Sequence, residues 1–246
     1  MEKIVILGAT SEIAQQVQRI LARDRKQMLL VGRSAERLDI VAGDLRVRGA
    51  KEVITFCADL ADLSQHAQVV SFVQQYFGDF DCVLLAYGIM QDQEECRHSV
   101  EMSLREWHTN FVSAAALLTL FADILEKRGS GCIAAITSVA GDRGRSSNYV
   151  YGSAKGAMSL FLQGLRGRLH KSHVRVLTIK PGPVKTPMTA GLPQDRGFAD
   201  PVDVAQDICR ALKPGSRNIL YTPWYWRHVM AVVRAIPEVL FKRLSI

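Results

Sequence analysis

Short, continuous apolar runs recur along the chain, and most are followed by a longer segment with helical spacing of its apolar residues. Runs that are largely apolar, without strict alternation, are typical of strands buried on both faces of a parallel sheet. They lie at residues 4–7, 28–31, 53–57, 81–86, 132–137, 174–179 and 218–221. The helical spacing covers residues 11–22, 63–77, 100–127, 148–171 and 201–212. This alternation predicts a parallel sheet with right-handed crossovers.

We therefore expect one Rossmann-like, doubly wound α/β domain over residues 1–246, with about seven parallel strands and helices on both faces. Two segments lie outside the alternation and belong to the same domain. Residues 182–200 form an irregular, proline-containing loop, which is typical of a substrate lid. Residues 224–246 form a tail, which Pro237 divides into two short amphipathic pieces.

Composition and charge narrow the class of protein. The chain has 246 residues, of which 48% are hydrophobic, and a formal net charge of +7. Its basic residues are scattered without a long run, which favours a solvated basic surface over nucleic-acid binding and leaves a preference for anionic ligands open. The five cysteines are widely spaced and form no Cys-x-x-Cys pair, so we expect a reducing compartment and no metal site.

The two ends of the chain bear on its location. The first residues enter a strand, their apolar run is too short for a signal peptide, and we expect no membrane-spanning stretch. This predicts a cytoplasmic protein. The tail is basic and holds two of the three tryptophans. It either packs on the body or a partner subunit, or meets the inner face of a membrane or a lipid-bearing substrate.

The first strand leads through a turn into a helix, which is the setting of a dinucleotide phosphate site. Gly8 permits a tight turn, and the following residues let the backbone approach a pyrophosphate at the helix N-terminus. The candidate binding residues are Gly8, Thr10, Ser11, Glu12 and Ile13. An ordinary βα turn is the alternative, because the loop is poor in glycine.

The ends of the second and third strands indicate how an adenosine would be held. Arg33 could pair with a 2′-phosphate, which favours NADP(H) over NAD(H). Against this, Glu12 adds a negative charge and no second basic residue supports Arg33. Asp59 could accept a bond from the adenine amino group, or simply cap the helix at 63–77.

Proton-transfer chemistry is indicated between residues 138 and 155. Tyr151 and Lys155 are four residues apart and share one helix face, and Ser138 ends the preceding strand. A neighbouring ammonium favours the phenolate and lowers the pKa of a tyrosine. Asn110 interrupts the apolar stripe of the helix at 100–127, where it is either catalytic or satisfied by solvent or backbone.

Together these residues resemble the short-chain dehydrogenase/reductase family over essentially the full length of the chain. Residues 8–14 look like its glycine-rich loop, with Glu12 and Ala14 at positions where glycine is usual. The resemblance assigns a catalytic tetrad to Asn110, Ser138, Tyr151 and Lys155. It assigns cofactor contacts to Asp59, Leu60, Gly88, Tyr151, Lys155, Pro181, Gly182, Val184 and Thr186.

The resemblance implies hydride transfer between a nicotinamide and a ketone carbon. Tyr151 is expected to donate the proton, and Lys155 to lower the pKa of Tyr151 and hold the nicotinamide ribose. Ser138 is expected to hydrogen-bond the carbonyl oxygen, and Asn110 to order a water chain that reprotonates Tyr151.

Within that family the chain is similar to the reductases of a polyprenyl-phosphate-linked 2-keto-pentose, which form decaprenylphosphoryl-arabinose. The likeness rests on residues 8–13, on Tyr87-Gly88, on residues 148–153 and on residues 227–244. It implies the reductase half of an epimerisation with a partner oxidase, and a homodimer or homotetramer. The alternatives are a reductase of a hydrophobic ketone, such as a 3-oxoacyl or steroid-like substrate, and a non-catalytic dinucleotide-sensing regulator. The complete tetrad speaks against the regulator.

Overall fold

All seven predicted strands form one parallel sheet in the computed structural model, which describes residues 1–192 and 197–244. Their order across the sheet is β3-β2-β1-β4-β5-β6-β7. The strands are β1 (Lys3–Leu7), β2 (Gln27–Gly32), β3 (Glu52–Cys57), β4 (Cys82–Leu85), β5 (Gly131–Ile136), β6 (Val174–Pro181) and β7 (Ile219–Thr222). The order reverses between β1 and β4, where doubly wound sheets bind ligands.

Helices cover both faces of the sheet, so the predicted fold class is confirmed. They are α1 (Glu12–Arg23), α2 (Ala35–Val47), α3 (His66–Phe77), α4 (Gln93–His98), α5 (Val100–Trp107), α6 (Ser113–Arg128), α7 (Tyr149–Leu169), α8 (Pro201–Leu212), α9 (Trp226–Ala235) and α10 (Glu238–Phe241). Neighbouring residues of each strand point to opposite faces. Ile6 thus joins the core under α1, α2 and α8, and Leu7 the core under α3, α6 and α7.

The predicted helix at 100–127 is divided. A π-helical turn at His108–Val112 separates α5 from α6 and contains Asn110. Within the part of the chain described, Val100–Arg128 is the one helical stretch long and apolar enough to cross a membrane. The α6 side chains Leu118 and Phe121 are buried in the core, which explains their apolar character.

Three aspartates cap the N-termini of helical segments, among them Asp92 at the start of α4. The predicted helix at 63–77 begins with a 3₁₀ turn, Leu63–Gln65, whose cap is Asp62 rather than Asp59: the Asp62 carboxylate accepts a hydrogen bond from the Ser64 N–H at 2.9 Å. Asp200 caps α8, with the Val202 N–H donating to its carboxylate at 2.8 Å.

The predicted loop contains a 3₁₀ turn at Pro187–Thr189, and its residues 193–196 lie outside the described range. In the tail, α9 and α10 meet at Pro237, as expected from the sequence; residues 245–246 are also outside the range.

The tail is fixed to the body by Arg143. Its Nη1 donates to the Val233 carbonyl at 2.8 Å and the Ile236 carbonyl at 2.5 Å, and its guanidinium lies 3.8 Å from the centroid of the Phe241 ring. The inner side of the tail therefore packs on the body, which is one of the two hypotheses for this segment. Its outer side exposes apolar residues, including Trp224, which is 73% exposed.

Candidate active site

A cavity of about 1080 Å³ lies along the carboxyl ends of the strands. Its lining includes residues at or just after the ends of β1 to β6, from Gly8 on one side of the strand-order reversal to Gly182 on the other. Pockets for a single small ligand usually have about 300–1,000 Å³. The volume therefore suits a dinucleotide together with a substrate.

The turn after β1 is shaped as a phosphate site requires. Gly8 has a φ of +85°, and a Cβ there would lie 2.6 Å from the Cβ of Tyr87, so only glycine fits. Ser11 caps α1 by accepting from the Ala14 N–H at 3.3 Å. The Glu12 carboxylate accepts from Gln16 Nε2 at 2.7 Å. All predicted residues of this turn line the cavity: Gly8, Thr10, Ser11, Glu12 and Ile13.

The end of the cavity where the sequence predicts the adenosine has two basic side chains instead of one. Arg33 follows β2, and Arg37, one helical turn later in α2, lines the same cavity. The expectation that no second basic residue supports Arg33 is therefore wrong, and the i, i+4 spacing was a signal for it. Asp59 and Leu60 also line this end, and Asp59 Oδ1 accepts from the Ala61 N–H at 3.0 Å.

Ser138, Tyr151 and Lys155 line the opposite end of the cavity. Glycines allow the turn that follows Ser138 to pack directly on α7. A Cβ at Gly141 would lie 2.5 Å from the backbone nitrogen of Gly156. This close approach places Ser138 within hydrogen-bonding reach of the Tyr151 hydroxyl, and Lys155 Nζ lies 5.7 Å from the centroid of the Tyr151 ring.

Burial controls the protonation of this end. It raises the pKa of Tyr151 to about 12, while the hydrogen bond with Ser138 lowers that pKa and the charge of Glu106 raises it. It lowers the pKa of Lys155 to about 8, against the opposing effect of Glu106. The prediction that Lys155 lowers the pKa of Tyr151 is therefore not confirmed, because burial raises that pKa instead. Tyr151 and Lys155 both carry their protons at pH 7.

Asn110 is placed behind the cavity and does not line it. It is 2% exposed; its Oδ1 accepts from the Ile89 N–H at 3.1 Å and its Nδ2 donates to the Ile89 carbonyl at 2.8 Å. A Cβ at Gly88 would lie 2.4 Å from Asn110 Oδ1 and 3.1 Å from Lys155 Nζ. The carboxamide thus holds the loop after β4 against Lys155, and the π turn that carries it is a frequent feature of functional sites.

Glu106 also belongs to this site, although the sequence analysis did not predict it. It is 1% exposed, its Oε2 accepts from the Gln91 N–H at 2.9 Å, and its Oε1 lies 3.4 Å from Asn110 Nδ2. Burial raises its pKa. Its position four residues before Asn110 was the available signal.

The remaining predicted residues Gly88, Pro181, Gly182, Val184 and Thr186 line the cavity beside this end. Two further residues there were also missed, Arg145 and the tail residue Trp226. A Cβ at Gly182 would lie 2.0 Å from Trp226 Nε1, so the indole rests directly on the Gly182 backbone. Such contacts between distant parts of the chain have no local sequence signal.

The chain is similar in sequence to known proteins. The sequence profile of the family described as short chain dehydrogenase matches residues 2–197. An uncharacterized oxidoreductase of Mycobacterium tuberculosis is 34% identical over 241 residues, covering 98% of this chain and 96% of the relative. One of Streptomyces coelicolor is 34% identical over 246 residues, covering 99% and 96%.

Solved structures share the fold. A short chain dehydrogenase of Burkholderia cenocepacia in complex with NADP has a TM-score of 0.83 at 20% identity and covers 100% of both chains. The actinorhodin polyketide ketoreductase with NADPH has a TM-score of 0.80 at 20% identity, covering 90% of this chain and 95% of its own. An alcohol dehydrogenase of the archaeon Thermococcus sibiricus, complexed with 5-hydroxy-NADP, has a TM-score of 0.76 at 26% identity, covering 90% and 94%.

Proposed function

The chain belongs to the short-chain dehydrogenase family and is an oxidoreductase, and on that premise we propose that it reduces a ketone to a secondary alcohol with NADPH. The observation that carries the proposal is one cavity with a phosphate-binding turn at one end and Ser138, Tyr151 and Lys155 at the other.

Each of these side chains has a task that follows from its surroundings. When bound, the nicotinamide supplies the hydride. Ser138 donates a hydrogen bond to the carbonyl oxygen, and Tyr151, which is protonated at neutral pH, gives its proton to the developing alkoxide. The Lys155 ammonium stabilises the negative charge and binds the nicotinamide ribose. Asn110 and Glu106 position Lys155 through the loop after β4.

NADPH is preferred to NADH in this proposal. The support is that Arg33 and Arg37 bring two guanidinium groups to one end of the cavity, and such groups suit a 2′-phosphate. The Thermococcus sibiricus relative, whose structure holds an NADP derivative, supports the same choice.

For the substrate, we propose a polyprenyl-phosphate-linked keto-sugar, with a partner oxidase that supplies the ketone. The support is the tail, which reaches the cavity through Trp226 and exposes Trp224, Val232 and several basic residues outward. Such a surface suits peripheral contact with a membrane face. We also propose a homo-oligomer, because α7 presents the apolar side chain of Leu160 to solvent, where it is 70% exposed.

A cofactor and substrate panel tests the proposal. Thermal shifts compare NADPH with NADH, and NADPH oxidation is followed with a lipid-phosphate keto-pentose, a 3-oxoacyl thioester and a steroid ketone. We expect the larger shift with NADPH and turnover of the keto-pentose. Turnover of only the thioester or the steroid would identify a reductase of hydrophobic ketones. Binding of NADPH with no ketone reduced would identify a dinucleotide-sensing regulator.

A further inference from the structure

Two arginines that lie two residues apart on the turn between Ser138 and Tyr151 have opposite surroundings. Arg143 is fully engaged: it donates to tail carbonyls and pairs with Glu238 at 2.9 Å. Arg145 lines the cavity, and its guanidinium makes no hydrogen bond or ion pair with any residue of 1–192 or 197–244.

The Arg145 guanidinium is also shielded from solvent in part. Its Nε is buried without an acceptor, and burial lowers its pKa with no opposing carboxylate. A buried cationic donor without a partner is strongly unfavourable, and such a group in a cavity indicates a ligand that completes it. The nearby acidic side chain Asp142 is already paired with Lys180 and accepts from Tyr221 at 2.7 Å.

Two more residues that line the same cavity carry unsatisfied polar atoms. Trp226 Nε1 is buried without an acceptor, and Asn148 Oδ1 is buried without a donor, among the residues that the structure describes. Together with Arg145, three residues of the cavity lining thus carry polar atoms that no described residue satisfies. This set lies on the β5 side of the cavity, whereas Arg33 and Arg37 lie on the β2 side, where the adenosine is expected.

We propose that Arg145, with Trp226 and Asn148 beside it, forms a subsite for an anionic group, phosphate or carboxylate, on the ketone substrate. This inference rests on the proposed ketone reduction and names the class of substrate that the site selects. Arginine binds phosphate and carboxylate through paired N–H donors in either case.

Binding to the complex with NADP⁺, in which no reduction takes place, tests the subsite by calorimetry. The probes are two matched pairs: D-ribulose 5-phosphate with D-ribulose, and acetoacetate with methyl acetoacetate. We expect the wild type to bind the anion of one pair about 10- to 100-fold tighter than its neutral twin, as for a charge-assisted hydrogen bond. The pair that shows the preference identifies phosphate or carboxylate as the group recognised.

Arg145→Gln is expected to remove this preference, whereas Arg105→Gln, an exposed arginine of the same cavity, is expected to change it less than about twofold. The inference is overturned if the wild type shows no preference in either pair or if Arg145→Gln retains it. It is also overturned if both variants lose it equally, or if Arg145→Gln weakens NADPH binding instead. Failure of the proposed function is separate: the wild type with NADPH would then reduce none of the four probes and none of the three ketones in the substrate panel.

Discussion

The two ends of the cavity are built in different ways. At the adenosine end, Gly8, Arg33 and Asp59 each follow their own strand by one or two residues and act through backbone geometry or exposed side chains. At the reacting end, buried charged and polar side chains from distant parts of the chain converge. Binding at the first end therefore depends on local structure, whereas chemistry at the second depends on charges held out of water.

Lys155→Met gives the largest effect, at the reacting end. We expect turnover to fall about 10³-fold, in the range of lost acid–base groups, while NADPH binding at the adenosine end persists.

Because burial lowers the pKa of Lys155 from 10.5 to about 8, the folded chain disfavours its charge by up to about 3 kcal/mol. We expect chemical denaturation at pH 7 to show a variant about 1–3 kcal/mol more stable than wild type.

The pH dependence of this gain has a defined sign. The unfavourable charge is fully present below about pH 8 and disappears as the pH approaches ~10.4, the value of an unfolded lysine. The stability difference should therefore narrow above pH 8. Lys127→Met, at an exposed lysine, should change stability by less than about 0.5 kcal/mol. A destabilised Lys155→Met protein would contradict this description of the reacting end.

Replacing Arg33 and Arg37 together by alanine probes the adenosine end. We expect the Kd of NADPH to rise about tenfold, because exposed charge-assisted bonds to the 2′-phosphate are lost, and the Kd of NADH to change less than about twofold. Fluorescence titration of both cofactors measures this, with Arg23→Ala as the control outside the cavity. Equal weakening for both cofactors would show that these arginines do not read the 2′-phosphate.

Glu106→Gln gives the smallest effect and tests whether the Glu106 charge influences Lys155 at the reacting end. The Glu106 charge raises the pKa of Lys155, so its removal should shift the alkaline decline of kcat/KM to lower pH. We expect activity about two- to fivefold lower at pH 8 and nearly unchanged at pH 6. The exposed Glu101→Gln serves as control. A decline at the same pH in both variants would remove Glu106 from the site.

The same contrast explains what could be predicted from the sequence. The sheet followed from apolar runs, because strands buried on both faces are largely apolar rather than alternating. Gly8 and Arg33 followed from their positions after strands. The reacting residues were recognised through family resemblance, since the Tyr151–Lys155 spacing alone is common.

Other features had no local signal. The π turn at Asn110 was hidden because the apolar stripe of α6 continues the pattern of α5. Arg145 and Trp226 line the same cavity in a fold in which Arg143 binds the tail, about ninety residues later in the chain. Contacts of that kind depend on tertiary packing and not on local propensity.

A single-turnover experiment on Tyr151→Phe tests the central claim, that the reacting end performs chemistry on a cofactor held independently at the other end. The variant is premixed with NADPH and then with a ketone that the wild type reduces, and hydride transfer is followed by NADPH absorbance. We predict a rate at least about 10³-fold lower, with the Kd of NADPH within about twofold of wild type. A rate within about tenfold of wild type, with the same Kd, would contradict the assignment of Tyr151 as the proton donor.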